Sequence, residues 1–560
     1  MTSNSHSFTL STLPNELLYR ILGILDNQTI LFSFRLTCRR FYSIAQTYNH
    51  YQLDFRSVSK PNFRSICRSI HPGHIVSLTL SNENQTVDQI KCFLSSFPFQ
   101  QMTRLRSLIL LKIDYQDFHT ILQALSTLSS LSVTFSNSNF QNFETLSLLS
   151  SIISGPKLRS LTFDLSTDNI NQISWSKECL LQSLTMSQSI GFTQLCTILS
   201  SALQLKKIVL QDCIVAINRD TDLSMAYTQL ISLTLNDSEL DMNGCESLLS
   251  VVPSLEHFRI IGGSQLCDGL FWENLIKKNL LKLTKFEFGL PGEAPLLLND
   301  SSEIQKLIAS FRTAFWLEVK QWFVTCYYFK SSSSYCLYSL PICKSNVKLF
   351  ANKDKLSYST YSYFSQDISM TDNINEMQLN LTKLMAGDKD DGNQAAIYPY
   401  FRNLTKLLID IDDEWPMNSV EFLSSFINLS HIVNLTIRLN LSIKYDFDQL
   451  LHITHFFDQT SHLQSLVIDN SEISAETICS LVPHHVRHFQ VTTNSIQDMK
   501  LLIEQMVYLW SITFEAFSAE DLKIDLSNWL AETRPSSTLK YENSVLSIWL
   551  DRATTSTNRQ

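Results

Sequence analysis

The sequence predicts an α/β fold: a helical hairpin at the N-terminus, then a solenoid with parallel strands on its concave side and helices on its convex side. Three observations predict it. An apolar-x-x-apolar-x-apolar pattern recurs thirteen times, with successive copies about 23 to 31 residues apart apart from one long break. The segments between copies carry apolar residues at helical spacing. The first 45 residues hold a separate and denser apolar pattern, also of helical period. At 560 residues the chain is too long for one ordinary core, whereas a repeat array grows without limit by stacking.

Residues 1–7 read as a disordered tail. Pro14 stands where a helix begins without losing a needed N–H, and Glu16 complements the positive helix end. Leu13, Leu17, Ile21 and Leu25 follow at intervals of four, with Leu18 and Leu22 beside them. A second helix carries Ile30, Phe34 and Cys38 at the same spacing, flanked by Leu31, and Arg39-Arg40-Phe41 leads on to Ile44 and Ala45. A hairpin of about 40 residues has too small a core to hide this much apolar surface, so it is expected to dock on something.

The repeats occupy residues 70–290 and 401–515. They run from Leu105/Leu108/Leu110 to Leu283/Phe286/Phe288 and from Leu404/Leu407/Ile409 to Leu509/Ile512/Phe514, with an earlier copy at Ile75/Leu78/Leu80. Linking segments such as Phe118, Ile121, Leu122 and Leu125 show the helical period. Residues on either side of each middle apolar position are expected to face the concave surface. Early repeats place hydroxyls there, for example Ser77 and Thr79. Later ones place Lys207, His257, Arg259, Lys285, Glu287 and Lys406, which makes this charged stretch the candidate contact surface for a partner.

Between the arrays, residues 291–400 break the period. Ten aromatics fall within residues 311–338, and a hairpin is expected at 316–340 around Ser331–Ser334, which either continues the stack irregularly, the favoured reading, or projects from it as a binding element. Residues 516–550 read as a C-terminal cap, and 551–560 as a second disordered tail.

The recurring triplet resembles the leucine-rich-repeat family, in the variety with full helices on the convex side, although the family's usual Asn after the strand is mostly replaced. The N-terminal segment is more specific. Leu13-Pro14-x-Glu16-Leu17-Leu18-x-x-Ile21-Leu22-x-x-Leu25, followed by Leu36-x-Cys38-Arg39-Arg40-Phe41, resembles an F-box over residues 8–55. The departures are Phe41 for the usual Trp, Thr37 for the usual Val, and one extra residue after Leu25. The resemblance implies docking on the Skp-type adaptor, and through it the cullin, of an SCF-type ubiquitin ligase. By position, Leu13, Pro14, Leu17, Ile21, Leu22, Leu25, Leu31, Cys38 and Phe41 would form that contact. The pairing implies a non-catalytic substrate receptor holding an unknown protein substrate near the ubiquitin-conjugating enzyme. The alternative is a repeat scaffold whose F-box-like hairpin acts outside ubiquitin transfer.

Composition narrows the remaining classes. A net charge of −9 and a pI near 5.8 argue against a nucleic-acid-binding protein. Twelve scattered cysteines without a CxxC pair suit a reduced, intracellular chain, cytoplasmic or nuclear. Neither a secretory signal nor a stretch suited to a membrane is visible. Gly387–Gly392 has P-loop glycine spacing, but Asn393 and Gln394 replace the Lys and Ser/Thr that phosphate binding needs. His452, His455, His484, His485 and His488 lack Cys or carboxylate partners at ligand spacing and read as repeat-surface histidines. No catalytic residue, metal site or cofactor is expected.

Overall fold

The computed structural model describes residues 10–125, 127–136, 143–165, 167–210, 225–263, 265–293, 301–329, 333–349, 355–361, 368–387, 400–412, 414–439, 447–469, 473–516 and 519–551. The tails and most of the Gly387–Gly392 run lie outside them. The chain forms two compact units. One holds the chain to Leu181, with Thr533–Lys540 and the segment from Ile548 on; the other holds Gln182–Glu532 with Tyr541–Ser547.

In the first unit, the strands Tyr51–Asp54, Ile75–Ser81, Ser107–Ile113, Ser130–Phe135 and Ser160–Phe163 pair in sequence order, all parallel. Each repeat strand begins within two residues of the first apolar position of its triplet. Leu108, Leu131 and Leu161 are register partners and are buried. Between strands the helices Gln89–Ser96, Tyr115–Ala124 and Phe143–Ile153 bury Ile90/Phe93, Phe118/Ile121/Leu122 and Leu146/Leu149/Ile153. That i, i+3, i+4 face is what a helix needs to lie on a sheet. The backbone joins the repeats again just before each strand: Arg106 N donates to Val76 O at 2.9 Å, Ser129 N to Arg106 O at 2.8 Å, and Arg159 N to Ser129 O at 2.8 Å.

The chain from Ile548 on belongs to this unit although it comes from the far end of the sequence. The Trp549 indole donates to Val58 O at 3.1 Å, meets the Phe63 ring edge-on at 5.3 Å, and lies under the Lys60 ammonium at 5.3 Å. Arg64 pairs with Asp551 at 2.5 Å. Lys60 is itself buried, and loss of hydration pushes its pKa down to about 8.

In the second unit, Ser183–Met186, Lys207–Leu210, Ser232–Ser238, His257–Gly262 and Lys285–Glu293 pair parallel in sequence order. An antiparallel hairpin then joins the sheet: Ser334–Ser339 pairs with Lys285–Glu293 and with Val324–Phe329, which pairs with Lys355–Ser359. Gly292 is required at this junction, since a Cβ there would fall 2.2 Å from the Tyr335 ring. A second parallel run follows through Asn346–Leu349, Glu376–Asn380, Lys406–Ile411, Asn434–Leu439, Ser465–Asp469, His488–Thr492 and Ser511–Glu515. Ile374, Met377 and Leu379 are thus a further copy of the triplet that the sequence reading passed over.

Two expectations are corrected here. Trp316 does not begin the hairpin; it sits in a π-turn at Phe315–Val319, buried against Phe286, Phe288 and Phe311, with its indole donating to Gly269 O at 3.2 Å. The cluster gives the ring more buried area than a strand position would. His488 is not a surface histidine: only 4% of it is exposed. Its Nδ1 lies 2.8 Å from Ser511 Oγ, and burial, then the charge of Arg487, lower its pKa to about 4.

Because Trp549 is fully buried and hydrogen-bonded, Trp549→Ala is expected to destabilise the first unit by about 3–5 kcal/mol. Urea unfolding of the full chain followed by tryptophan fluorescence measures this; an unchanged midpoint would show that the terminal strand contributes nothing to the unit.

Candidate functional site

The N-terminal hairpin is built from helix Asn15–Leu22, a turn, a helical stretch from Asn27 to Thr37, and helix Arg39–Thr47. Asp26 caps the second helical stretch by accepting from Thr29 N at 2.8 Å, and its hydrogen bonds from Thr29 hold its carboxyl below the usual carboxylate range. Ile30–Phe34 forms a π-turn. Such a turn takes one residue more than an α-turn and accommodates the extra residue counted after Leu25. Cys38 is fully extended and ends the stretch; its Sγ then accepts from Phe41 N at 3.5 Å to start the last helix.

Arg40 ties the beginning of the hairpin to its end. Its guanidinium donates to Leu13 O at 2.6 Å, to Asn15 Oδ1 at 2.9 Å and to Ser11 O. Tyr19 and Thr47 hydroxyls meet at 2.8 Å. The hairpin core consists of Leu18, Leu22, Ile30, Leu31, Phe34, Phe41 and Ile44, with Phe34 and Phe41 stacked at 4.3 Å.

This core divides the nine residues expected to touch an adaptor. Leu22, Leu31 and Phe41 are buried inside the hairpin, which corrects their assignment to its surface. Pro14 and Leu17 are exposed, and Leu13, Ile21, Leu25 and Cys38 are half-buried. The helix turns Leu18 and Leu22 inward at i, i+4, which leaves Leu17 and Ile21 on the opposite side. The same side continues to Ile24, which sequence reasoning missed; Leu36 is a second omission. Exposures of 42% for Leu17, 84% for Ile24 and 70% for Leu36 mark an apolar surface that the hairpin leaves uncovered.

The charged stretch assembles in the second unit. Parallel register places Lys207, Ser232, His257 and Lys285 in one row, and Arg259 beside Glu287 in the next. His257 Nε2 lies 2.6 Å and Lys285 Nζ 2.8 Å from the Glu287 carboxylate. Burial alone would raise the pKa of Glu287, but hydrogen bonds from His257 and Lys285 outweigh it and hold the carboxyl at about 2. Two of the expected partner-facing residues, His257 and Lys285, are therefore engaged by a carboxylate of the same sheet. Lys406 stands apart from this cluster, on the second parallel run, 3.9 Å from Glu376. Among the described residues, no helix is long and apolar enough to cross a membrane.

The F-box-like family matches residues 10–56. No curated protein matches the chain. Among solved structures the chain is similar to the leucine-rich repeat-containing protein LegL7 from Legionella pneumophila, at 14% identity over 86% of this chain and 97% of that one, with a TM-score of 0.18. It is also similar to a chain of the mouse RP105/MD-1 complex, at 10% identity over 82% of this chain and 88% of that one, with a TM-score of 0.25. One parallel strand per repeat, returned by a helix, is the leucine-rich-repeat fold. The chain thus joins an F-box-like domain at residues 10–56 to a body of leucine-rich-repeat fold.

Since Glu287 titrates near 4.5 when unfolded and near 2 when folded, its stabilising contribution is present above pH 4.5 and fades as pH falls toward 2. Glu287→Gln is expected to flatten the acid limb of the stability curve over that window, as read by thermal melting at successive pH values. An acid limb that keeps its full slope in the variant would show that the cluster is not what titrates.

Proposed function

We propose that this protein is the non-catalytic substrate-recognition subunit of an SCF-type ubiquitin ligase, acting in the cytoplasm or nucleus. Its F-box-like hairpin docks on a Skp-type adaptor, and through the adaptor on a cullin. The repeat sheet holds a protein substrate, with Lys207, His257, Arg259, Lys285, Glu287 and Lys406 as the residues of its strand face that meet it. The action is proximity: a bound substrate presents its lysines to a charged conjugating enzyme at raised effective concentration, with no chemistry done by the receptor.

The observation that carries this reading is the apolar surface left on an F-box-like hairpin whose core is already filled. Ile24 and Leu36, and the uncovered part of Leu17, face solvent, whereas fully covering a large apolar side chain contributes about 1.5–3 kcal/mol before association costs. The core beneath, fixed by Arg40 and the Phe34–Phe41 stack, gives that surface a set shape.

Leu17→Asp combined with Ile24→Asp is expected to abolish co-purification of the Skp-type adaptor and cullin while leaving the melting temperature unchanged, because both side chains are already exposed. Capture by the native chain, lost in the variant, supports the receptor. A folded native chain that captures neither partner indicates a repeat scaffold instead.

A further inference from the structure

Where the hairpin meets the first strand of the repeat body, the first unit bears a cavity of about 420 Å³. One wall is the end of the first hairpin helix with the turn after it, residues 22–28. The other is the strand Tyr51–Asp54 with the residues at its ends. Leu22, Leu25, Leu53, Phe55 and Ile66 supply an apolar lining, and all of these except Leu25 are buried, so core packing fixes their positions from behind.

The polar part of the lining is rich in acceptors. Tyr48 is only 7% exposed, yet among the described residues its hydroxyl has no hydrogen-bond partner. That hydroxyl lies beside Gly23, another lining residue, 3.8 Å from where a Cβ would stand, and the missing side chain leaves it open to the cavity. Asp26 lines the cavity as well. Its carboxylate accepts from Thr29 N at 2.8 Å and Thr29 Oγ1 at 2.5 Å, which leaves acceptor capacity to spare. Among the described residues Asp26 makes no ion pair, whereas Asp54, the second carboxylate on the lining, is matched by Arg56 at 2.6 Å. No lysine or arginine lines the cavity, Asn27 donates its amide to Gln52 O, and His50 is exposed.

An occupant that answers this lining donates rather than accepts. A phenol oxygen and a carboxylate together suit an ammonium, which has three donors and no acceptor. A hydroxyl withdrawn from bulk water without a partner is a cost that such a donor removes. The apolar lining calls for a hydrophobic body beside the ammonium, and the Tyr48 and Phe55 rings favour an aromatic one. The volume lies toward the small end of the range of about 300–1,000 Å³ typical of ligand clefts, which fits one small molecule. We propose that this cavity binds a small arylalkyl amine, its ammonium held by the Asp26 carboxylate and the Tyr48 hydroxyl and its ring against the apolar lining. Such a ligand touches both the hairpin and the first strand and ties the joint between them. The site goes beyond the receptor reading and does not rest on it.

Phenethylamine, phenethyl alcohol, 3-phenylpropanoate and spermidine are titrated into the full-length chain at neutral pH and followed by ligand-detected NMR. Phenethylamine is expected to bind at least about tenfold more tightly than the isosteric alcohol or the anion, since its contact with Asp26 is charge-assisted. Asp26→Asn keeps the helix cap and removes the charge, and is expected to abolish that margin. Tyr48→Phe removes only the hydroxyl and is expected to reduce it, both variants keeping the native melting temperature. Equal binding of amine and alcohol overturns the proposal, and so does a margin that survives Asp26→Asn. Absence of phenethylamine binding in the millimolar range overturns it too. Spermidine binding as tightly as phenethylamine also overturns it, in favour of a diffuse acidic surface without an apolar site.

Discussion

The repeat body of this molecule depends on rows of apolar side chains that successive strands stack against one another. Leu184, Ile208, Leu233, Phe258 and Phe286 form one such row, and Leu407, Leu435, Leu466, Phe489 and Ile512 another. A strand of four to nine residues cannot bury its own row, so each repeat acquires a core only from its neighbours. The stacking also orders the polar residues of the strands. Parallel register carries any polar residue that recurs at one position into a column, and the Glu287 cluster is a product of that registration rather than of local turns.

The strands were the most legible part of the sequence, because the triplet encodes both burial and register. Each copy that was read became a strand, and the one that was missed, at Ile374/Met377/Leu379, lies inside the stretch set aside as a break. Composition hid it: the aromatic excess and the hydroxyl-rich surroundings drew attention to the hairpin. What the triplet does not encode is pairing direction. Nothing in the spacing distinguishes the parallel strand Lys285–Glu293 from the antiparallel one that follows it, and the decisive residue, Gly292, matters only once the Tyr335 ring is in place. His488 failed for a related reason, since a strand residue reads as half-exposed until Ser511 and Trp510 of the next repeat cover it.

The hairpin illustrates a limit of resemblance. Matching residues in order identified the domain, but it did not separate side chains that build the domain from those that meet a partner. Leu22, Leu31 and Phe41 are anchors of the motif because they hold the helices together. The period of 3.6 was sufficient to divide Leu18 and Leu22 from Leu17 and Ile21. For Leu36 no such signal existed, since its exposure depends on the π-turn that precedes it.

The hydrogen bond from Trp549 to Val58 spans 491 positions of the chain. During synthesis at about 5–20 residues per second, the partner of Val58, Lys60 and Phe63 leaves the ribosome roughly half a minute to a minute and a half after they do. Throughout that interval the buried lysine has no indole beneath it and the first unit is incomplete. The F-box-like hairpin, whose contacts are local, can fold in the meantime. Nascent chains thus pass through a stage in which the Val58–Phe63 segment waits for the Trp549 ring that covers it.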